Sequence, residues 1–67
     1  MELNQVIARK LFRTLVLDYE WNFNGETSVY CRILNDGNYY GQLTARNREE
    51  AINKFMKGQY VHYYQED

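Results

Sequence analysis

Sixty-seven residues carry eight Lys+Arg against nine Asp+Glu, a formal charge of −1, a hydrophobic fraction of 45% and no proline. These values exclude a disordered chain, leave no room for a second domain beyond a single unit spanning 1–67, and lack the overall basic field of a general nucleic-acid binder. One cysteine cannot close an internal disulfide, and no apolar run is long enough for a secretion signal or a membrane span. The reducing cytoplasm is therefore the expected compartment, with no membrane contact.

A chain this short buries only about 60% of the surface it exposes when unfolded, so its core has to be efficient. Seven Tyr, three Phe and one Trp supply much buried area per residue, yet each phenol needs a partner or water. Some tyrosines belong at a surface.

In chain order, Leu3, Val6, Ile7 and Leu11 fall at helical spacing with Asn4, Gln5, Arg9, Lys10 and Arg13 opposite them, which predicts a short amphipathic helix over residues 3–12. From Leu15 the period becomes two. Leu15, Leu17, Tyr19, Trp21 and Phe23 alternate with Val16, Asp18, Glu20 and Asn22, the pattern of a half-buried strand that Asn24-Gly25 ends. A second strand runs from Thr27 to Leu34 and, after Asp36-Gly37, a third from Tyr39 to Ala45.

Residues opposed in an antiparallel pair share a face, so turn length decides which faces agree. Two-residue loops set Val29, Cys31 and Ile33 beside Gln42 and Thr44. Three-residue loops, Phe23-Asn24-Gly25 and Asn35-Asp36-Gly37, instead pair Leu17 with Cys31, Tyr19 with Val29, Ile33 with Tyr39, Cys31 with Gly41 and Val29 with Leu43, giving one buried face. Asn47 and Glu50 then stand in capping-box spacing at the start of a helix whose apolar residues are Ala51, Ile52, Phe55 and Met56, and Gly58 stops it. Gln59 to Gln65 alternates as a short last strand. The expected fold is α+β: a short N-terminal helix, a three-stranded antiparallel meander, one helix packed on one face of the sheet and a short C-terminal fourth strand, in the order α-β-β-β-α-β.

The run Asp36-Gly37-Asn38-Tyr39-Tyr40-Gly41, followed by Thr44-Ala45-Arg46-Asn47-Arg48-Glu49-Glu50-Ala51, resembles the double-stranded RNA-binding domain in its turn glycine, aromatic-Gly strand and helix opening. The resemblance covers Val29 to Met56 and implies the same helix, three strands, helix order. In that family the second helix opens with consecutive lysines that grip phosphates, where this chain has Arg48, Glu49, Glu50 and Asn53. The carboxylates depart from the phosphate-binding part of the pattern.

Cys31 and His62 are the lone thiol and imidazole. A nucleophile–base dyad would need them within hydrogen-bond reach, whereas the strand register turns Cys31 into the core. One His and one Cys do not make a metal site. Asp18 and Glu20 share a strand face about 7 Å apart, but without a third polar partner they read as a solvated face and not as an acid pair. No catalytic residue, metal or cofactor is expected, and the chain is not expected to be an enzyme.

The outward sheet face then carries Asp18, Glu20, Tyr30, Arg32, Tyr40 and Gln42, which Tyr60, His62 and Tyr64 of the last strand would extend. Tyrosine and arginine supply rigid apolar area with polar tips, the chemistry of protein interfaces. In size and composition the chain resembles small phage- or mobile-element-encoded proteins that block host enzymes. The expected function is protein binding, as an inhibitor or adaptor, through this face or a sheet edge, and homodimerisation by the same surface is its close variant. The alternative is nucleic-acid binding through Arg9, Lys10 and Arg13 with Arg46 and Arg48.

Overall fold

A computed structural model describes residues 2–62. Five strands, β1 (Glu2–Lys10), β2 (Arg13–Phe23), β3 (Glu26–Asn35), β4 (Asn38–Ala45) and β5 (Val61–His62), form one antiparallel sheet in sequence order. One helix among the described residues, α1 (Arg48–Met56), joins β4 to β5. This corrects the expected α-β-β-β-α-β order: the N-terminal segment is strand β1 and not a helix, so the meander before α1 has four strands and not three, and β5 after α1 makes five in the sheet. The expected last strand, Gln59 to Gln65, begins only at Val61, with Val61–His62 paired with Gln42 and Gly41 and Gln59 and Tyr60 outside it, and residues 63–65 lie outside the described residues.

The helix-like spacing at the N-terminus has a strand origin. β1 slips register against β2 between Glu2 and Gln5 and again between Val6 and Ala8, and Asn4 takes a φ of 50°. Each slip interrupts strict alternation. The β1 side chains that reach the core are consequently Leu3, Ile7 and Ala8, which imitates a helical interval. By pairing with β2, the segment also closes the edge of the strand that carries the fully buried Leu15 and Leu17.

The turns differ from expectation in an instructive way. Asn24-Gly25 and Asp36-Gly37 are two-residue loops with φ positive at both positions (53° and 79°, 53° and 84°), the type I′ pattern these residue pairs favour. Phe23 therefore faces Glu26, and Asn35 faces Asn38. The parity that three-residue loops would have supplied comes instead from bulges, with Asp18 the extra residue in β2 and Tyr40 the extra residue in β4. Leu17 meets Cys31, as the alternation requires, but Tyr19 meets Tyr30, Cys31 meets Leu43 and Val29 meets Ala45.

The buried face thus holds Leu15, Leu17, Val29, Cys31, Ile33, Leu43 and Ala45, and α1 covers it with Ala51 and Phe55. Asn47 caps the helix by accepting from the Glu50 amide at 2.8 Å. The Glu50 carboxylate reaches back to the Arg46 amide at 2.8 Å and to the Arg46 guanidinium at 3.0 Å, so Arg46, first through its backbone N–H, holds this carboxyl below its ordinary value. At the other end Gly58, in the left-handed region, lets the Gly58 and Gln59 amides close on the Phe55 and Lys54 carbonyls, the Schellman arrangement.

Gly41 lies where β5 crosses closest to β4, and a Cβ there would run into the Val61 carbonyl. Gly41→Ala is expected to push β5 off the sheet at a cost of about 1–3 kcal/mol. The measurement is chemical denaturation combined with amide exchange: protection should fall at Val61 and His62 while α1 keeps its own.

Candidate functional site

α1 covers one face of the sheet, and no described element covers the other. What that open face presents is decided at Asp18. Up to Leu17 the odd-numbered residues of β2 point to the core, and after the bulge they point away from it, because Tyr19 is opposed to Tyr30 and Trp21 to Ser28. Tyr19, Trp21 and Phe23 therefore form an aromatic stripe on the open face, 44%, 45% and 73% exposed, with Tyr39 at 44% beyond them on β4. Taking about 200 Å² for a whole aromatic side chain, Tyr19, Trp21 and Phe23 together expose roughly 320 Å², with Tyr39 set apart from them across Arg32 and Gln42. That matches the largest apolar patch a monomeric protein ordinarily shows, a size that is often functional.

The stripe lies on a polar frame with little freedom. Asp18 is only 8% exposed, and its carboxylate sits 2.5 Å from Nε of Arg32. The N–H is not aligned on the oxygen, so the contact is an ion pair more than an oriented hydrogen bond. It nevertheless raises the Arg32 guanidinium above its already high ordinary pKa. Arg32 also donates from Nη2 to Oδ1 of Asn4 at 2.8 Å, tying β3 to β1 across β2. Beside it, Oε1 of Gln42 accepts from two phenols, Tyr30 at 2.7 Å and Tyr39 at 3.1 Å, and the Tyr30 ring lies 6.1 Å from that of Tyr19.

At the far end of the stripe, Trp21, Phe23, Asn24, Glu26 and Ser28 line a shallow groove of about 420 Å³. Trp21 is also one wall of a second groove, about 530 Å³, completed by Ser28, Thr44, Arg46, Glu50 and Lys54.

Of the residues expected on this face, Asp18, Tyr30, Arg32 and Gln42 are brought together on it. Glu20 and Tyr40 are not, because each follows or occupies a bulge. Glu20 is opposed to Val29 on the helix side and pairs with Arg48 at 3.2 Å. Tyr40 packs against the core, and Tyr39 takes the outward place. Tyr64 lies outside the described residues. Tyr19, Trp21 and Phe23, assigned by alternation to the core, are the surface residues that the sequence hid. The one signal that could have exposed them is Asp18, a carboxylate inside an apolar strand whose phase could change there.

The five cations of the nucleic-acid reading do not form one cluster. Arg46 and Arg48 are paired with Glu50 and Glu20 at the start of α1, while Arg9, Lys10 and Arg13 lie by the β1–β2 turn. Arg13 stacks 4.5 Å from the centre of the Tyr40 ring and donates to the Tyr40 and Tyr60 hydroxyls, both at 3.0 Å. Lys10 donates to the Met56 carbonyl at 2.7 Å, a cation on the last turn of α1.

Cys31 is fully buried, and burial, then the charge of Asp18, push its thiol up to about 11. His62 is exposed on β5, its ring 4.9 Å from those of both Tyr40 and Tyr60. Among the described residues no group of His, Cys, Asp and Glu is arranged to hold a metal ion, and no helix is long and apolar enough to cross a membrane. Comparison of the chain with protein-family models, with curated proteins and with solved structures gives no match.

Two outcomes follow from the buried groups. Arg32→Ala strands the Asp18 carboxylate and is expected to cost about 3 kcal/mol, while Asp18→Ala with Arg32→Ala costs less than the single change. Denaturation of the three variants measures this, and strictly additive losses would mean that the pair is not coupled. The raised thiol stabilises the fold fully below pH 9.0, the ordinary value, and that contribution disappears as pH climbs through about 11. A Cys31→Ala protein should accordingly lose less stability than the parent between those values when unfolding is followed against pH.

Proposed function

We propose that this chain is a small protein-binding module that acts as an inhibitor or adaptor by occupying a partner protein's surface with its open sheet face. The observation that carries the reading is the stripe Tyr19, Trp21 and Phe23, held outward by the Asp18 bulge beside tyrosines fixed through Gln42. The Tyr30 and Tyr39 phenols, immobilised before contact, lose little rotamer freedom on binding, which favours them as anchors beside the stripe. The polar residues around them, Arg32, Gln42, Thr44 and Glu26, supply a rim. The stripe alone supplies somewhat under half of the ~800 Å² per partner of a standard interface, and the rim enlarges the contact around it. The two grooves that meet at Trp21 offer seats for side chains of the partner.

A cytoplasmic setting suits a free buried thiol. The partner is a folded protein, and a second copy of this chain is the variant in which the face meets itself.

The test is affinity capture from native lysate after nuclease treatment, using the parent chain and Trp21→Ala with Phe23→Ala. Both side chains are about half exposed or more, so the fold should tolerate their loss, whereas Arg32 is unsuitable for this purpose because it neutralises Asp18. One stoichiometric protein held by the parent and released by the double variant is the expected result. Capture that survives the double change, or that vanishes with nuclease, would overturn the reading.

A further inference from the structure

The β1–β2 turn is built from the wrong residues for a turn that only has to reverse the chain. The other two tight turns use Asn-Gly and Asp-Gly, whereas this one uses Leu11-Phe12, between the paired Lys10 and Arg13. Leu11 is held at a φ of 58°, a region that bulky L-residues avoid. Neither side chain is repaid by burial, since Leu11 is 91% and Phe12 75% exposed. The turn is also fixed in place, because the Asp36 amide of the neighbouring turn donates to the Phe12 carbonyl at 2.8 Å. Strain, apolar exposure and rigidity at one tip point to a role outside the fold.

The charges around the tip narrow that role. Arg32, Arg46 and Arg48 are paired with carboxylates on other parts of the molecule. By contrast Lys10 and Arg13, which flank the tip, bond to neutral acceptors, a carbonyl and two phenols, so their positive charge is not cancelled by those contacts. Arg9 is exposed one residue before Lys10. Lys57 is exposed next to Met56, whose carbonyl Lys10 holds and whose side chain is itself 43% exposed. Among the described residues Asp36, whose amide holds the Phe12 carbonyl, is an acidic residue beside the tip. Two protruding apolar side chains ringed by four cations match a surface that is anionic outside and hydrocarbon just beneath.

We infer that the Leu11-Phe12 tip, with Arg9, Lys10, Arg13 and Lys57 around it, inserts into the interface of an anionic lipid bilayer. Leu11 and Phe12 enter below the headgroups while the cations remain at phosphate depth. The contact is peripheral and reversible, as expected of two side chains and a short basic collar, and it runs through a part of the molecule that the open sheet face does not use. The absence of a long apolar run, which argued against a membrane at the outset, concerns spanning a bilayer and not touching one.

Co-sedimentation of the purified chain with vesicles tests this, using pure phosphatidylcholine and an equimolar mixture with phosphatidylserine. The parent should bind the mixed vesicles, bind phosphatidylcholine weakly, and release as salt rises. Leu11→Asn with Phe12→Ser removes the apolar tip and suits the left-handed position, so it should bind about tenfold more weakly or worse while its thermal midpoint holds or rises. Arg9→Glu with Lys57→Glu should lose binding with the tip intact. No binding of the parent to the mixed vesicles, equal binding to both vesicle types, or undiminished binding by the tip variant would each overturn the proposal. So would light scattering that shows the parent self-associating and the tip variant monomeric, which would assign the tip to a second copy of the chain.

Discussion

The arrangement of this molecule depends on one extra residue in its longest strand. β2 begins as an inward-facing strand, with Leu15 and Leu17 in the core, and would drive Tyr19, Trp21 and Phe23 inward after them if it stayed regular. Inserting Asp18 changes the phase, so the same strand is a core element in its first half and a display element in its second. The insertion is costly because it places a carboxylate where little water reaches. Arg32, from the opposed strand, makes it tolerable, and Asn4 from β1 holds Arg32 in turn. Three strands are thereby fixed in register by one charged pair at the centre of the open face.

Much of the chain was legible because local chemistry and global fold agree there. Asn-Gly and Asp-Gly mark the hairpin turns, Asn47 with Glu50 marks the helix start, Gly58 marks its end, and all four act as their residue types dictate. The illegible parts share one cause. Alternation assumes that a strand never gains a residue, and this sheet gains one in β2, one in β4 and slips twice in β1. In β4 the error exchanged Tyr39 with Tyr40, and in β2 it hid the aromatic stripe that now carries the functional reading. In β1 it turned a strand into an expected helix, because Leu3 and Ile7 reach the core at an interval of four. Asp18, a carboxylate between Leu17 and Tyr19, was the visible trace of one bulge, but nothing in Asn4 or Tyr40 announces another.

Four of the seven tyrosines, Tyr30, Tyr39, Tyr40 and Tyr60, make this small fold workable from both sides. A buried or half-buried phenol needs a partner for its hydroxyl, and on each face one polar side chain serves two rings. On the open face Gln42 accepts from Tyr30 and Tyr39, and on the helix side Arg13 donates to Tyr40 and Tyr60 while stacking on Tyr40. Each arrangement bridges segments that are distant in sequence, so the hydroxyls cross-link the sheet as well as being satisfied. Arg13, which sequence alone offered as a phosphate contact, is also the clasp by which the sheet holds Tyr60 and with it the approach to β5.

The edges of the sheet bear on how such a protein would meet a partner. An exposed regular edge invites pairing with any extended chain, and both edges here are blunted. β1 carries two register slips, the left-handed Asn4 and the charged Arg9 and Lys10, so its outer hydrogen-bonding groups do not form a regular ladder. At β4 the Val61–His62 strand covers Gly41 and Gln42, and Lys54 reaches from α1 to the Thr44 carbonyl at 2.9 Å. With lateral pairing discouraged at both edges among the described residues, the contiguous surface that suits the proposed recognition is the open face. Its specificity would come from the shape of the aromatic stripe and the positions of Arg32 and Gln42, and not from main-chain hydrogen bonds. A partner selected in that way must present a complementary folded surface, which is why a face-binding inhibitor or adaptor fits this molecule better than a receptor for an extended peptide.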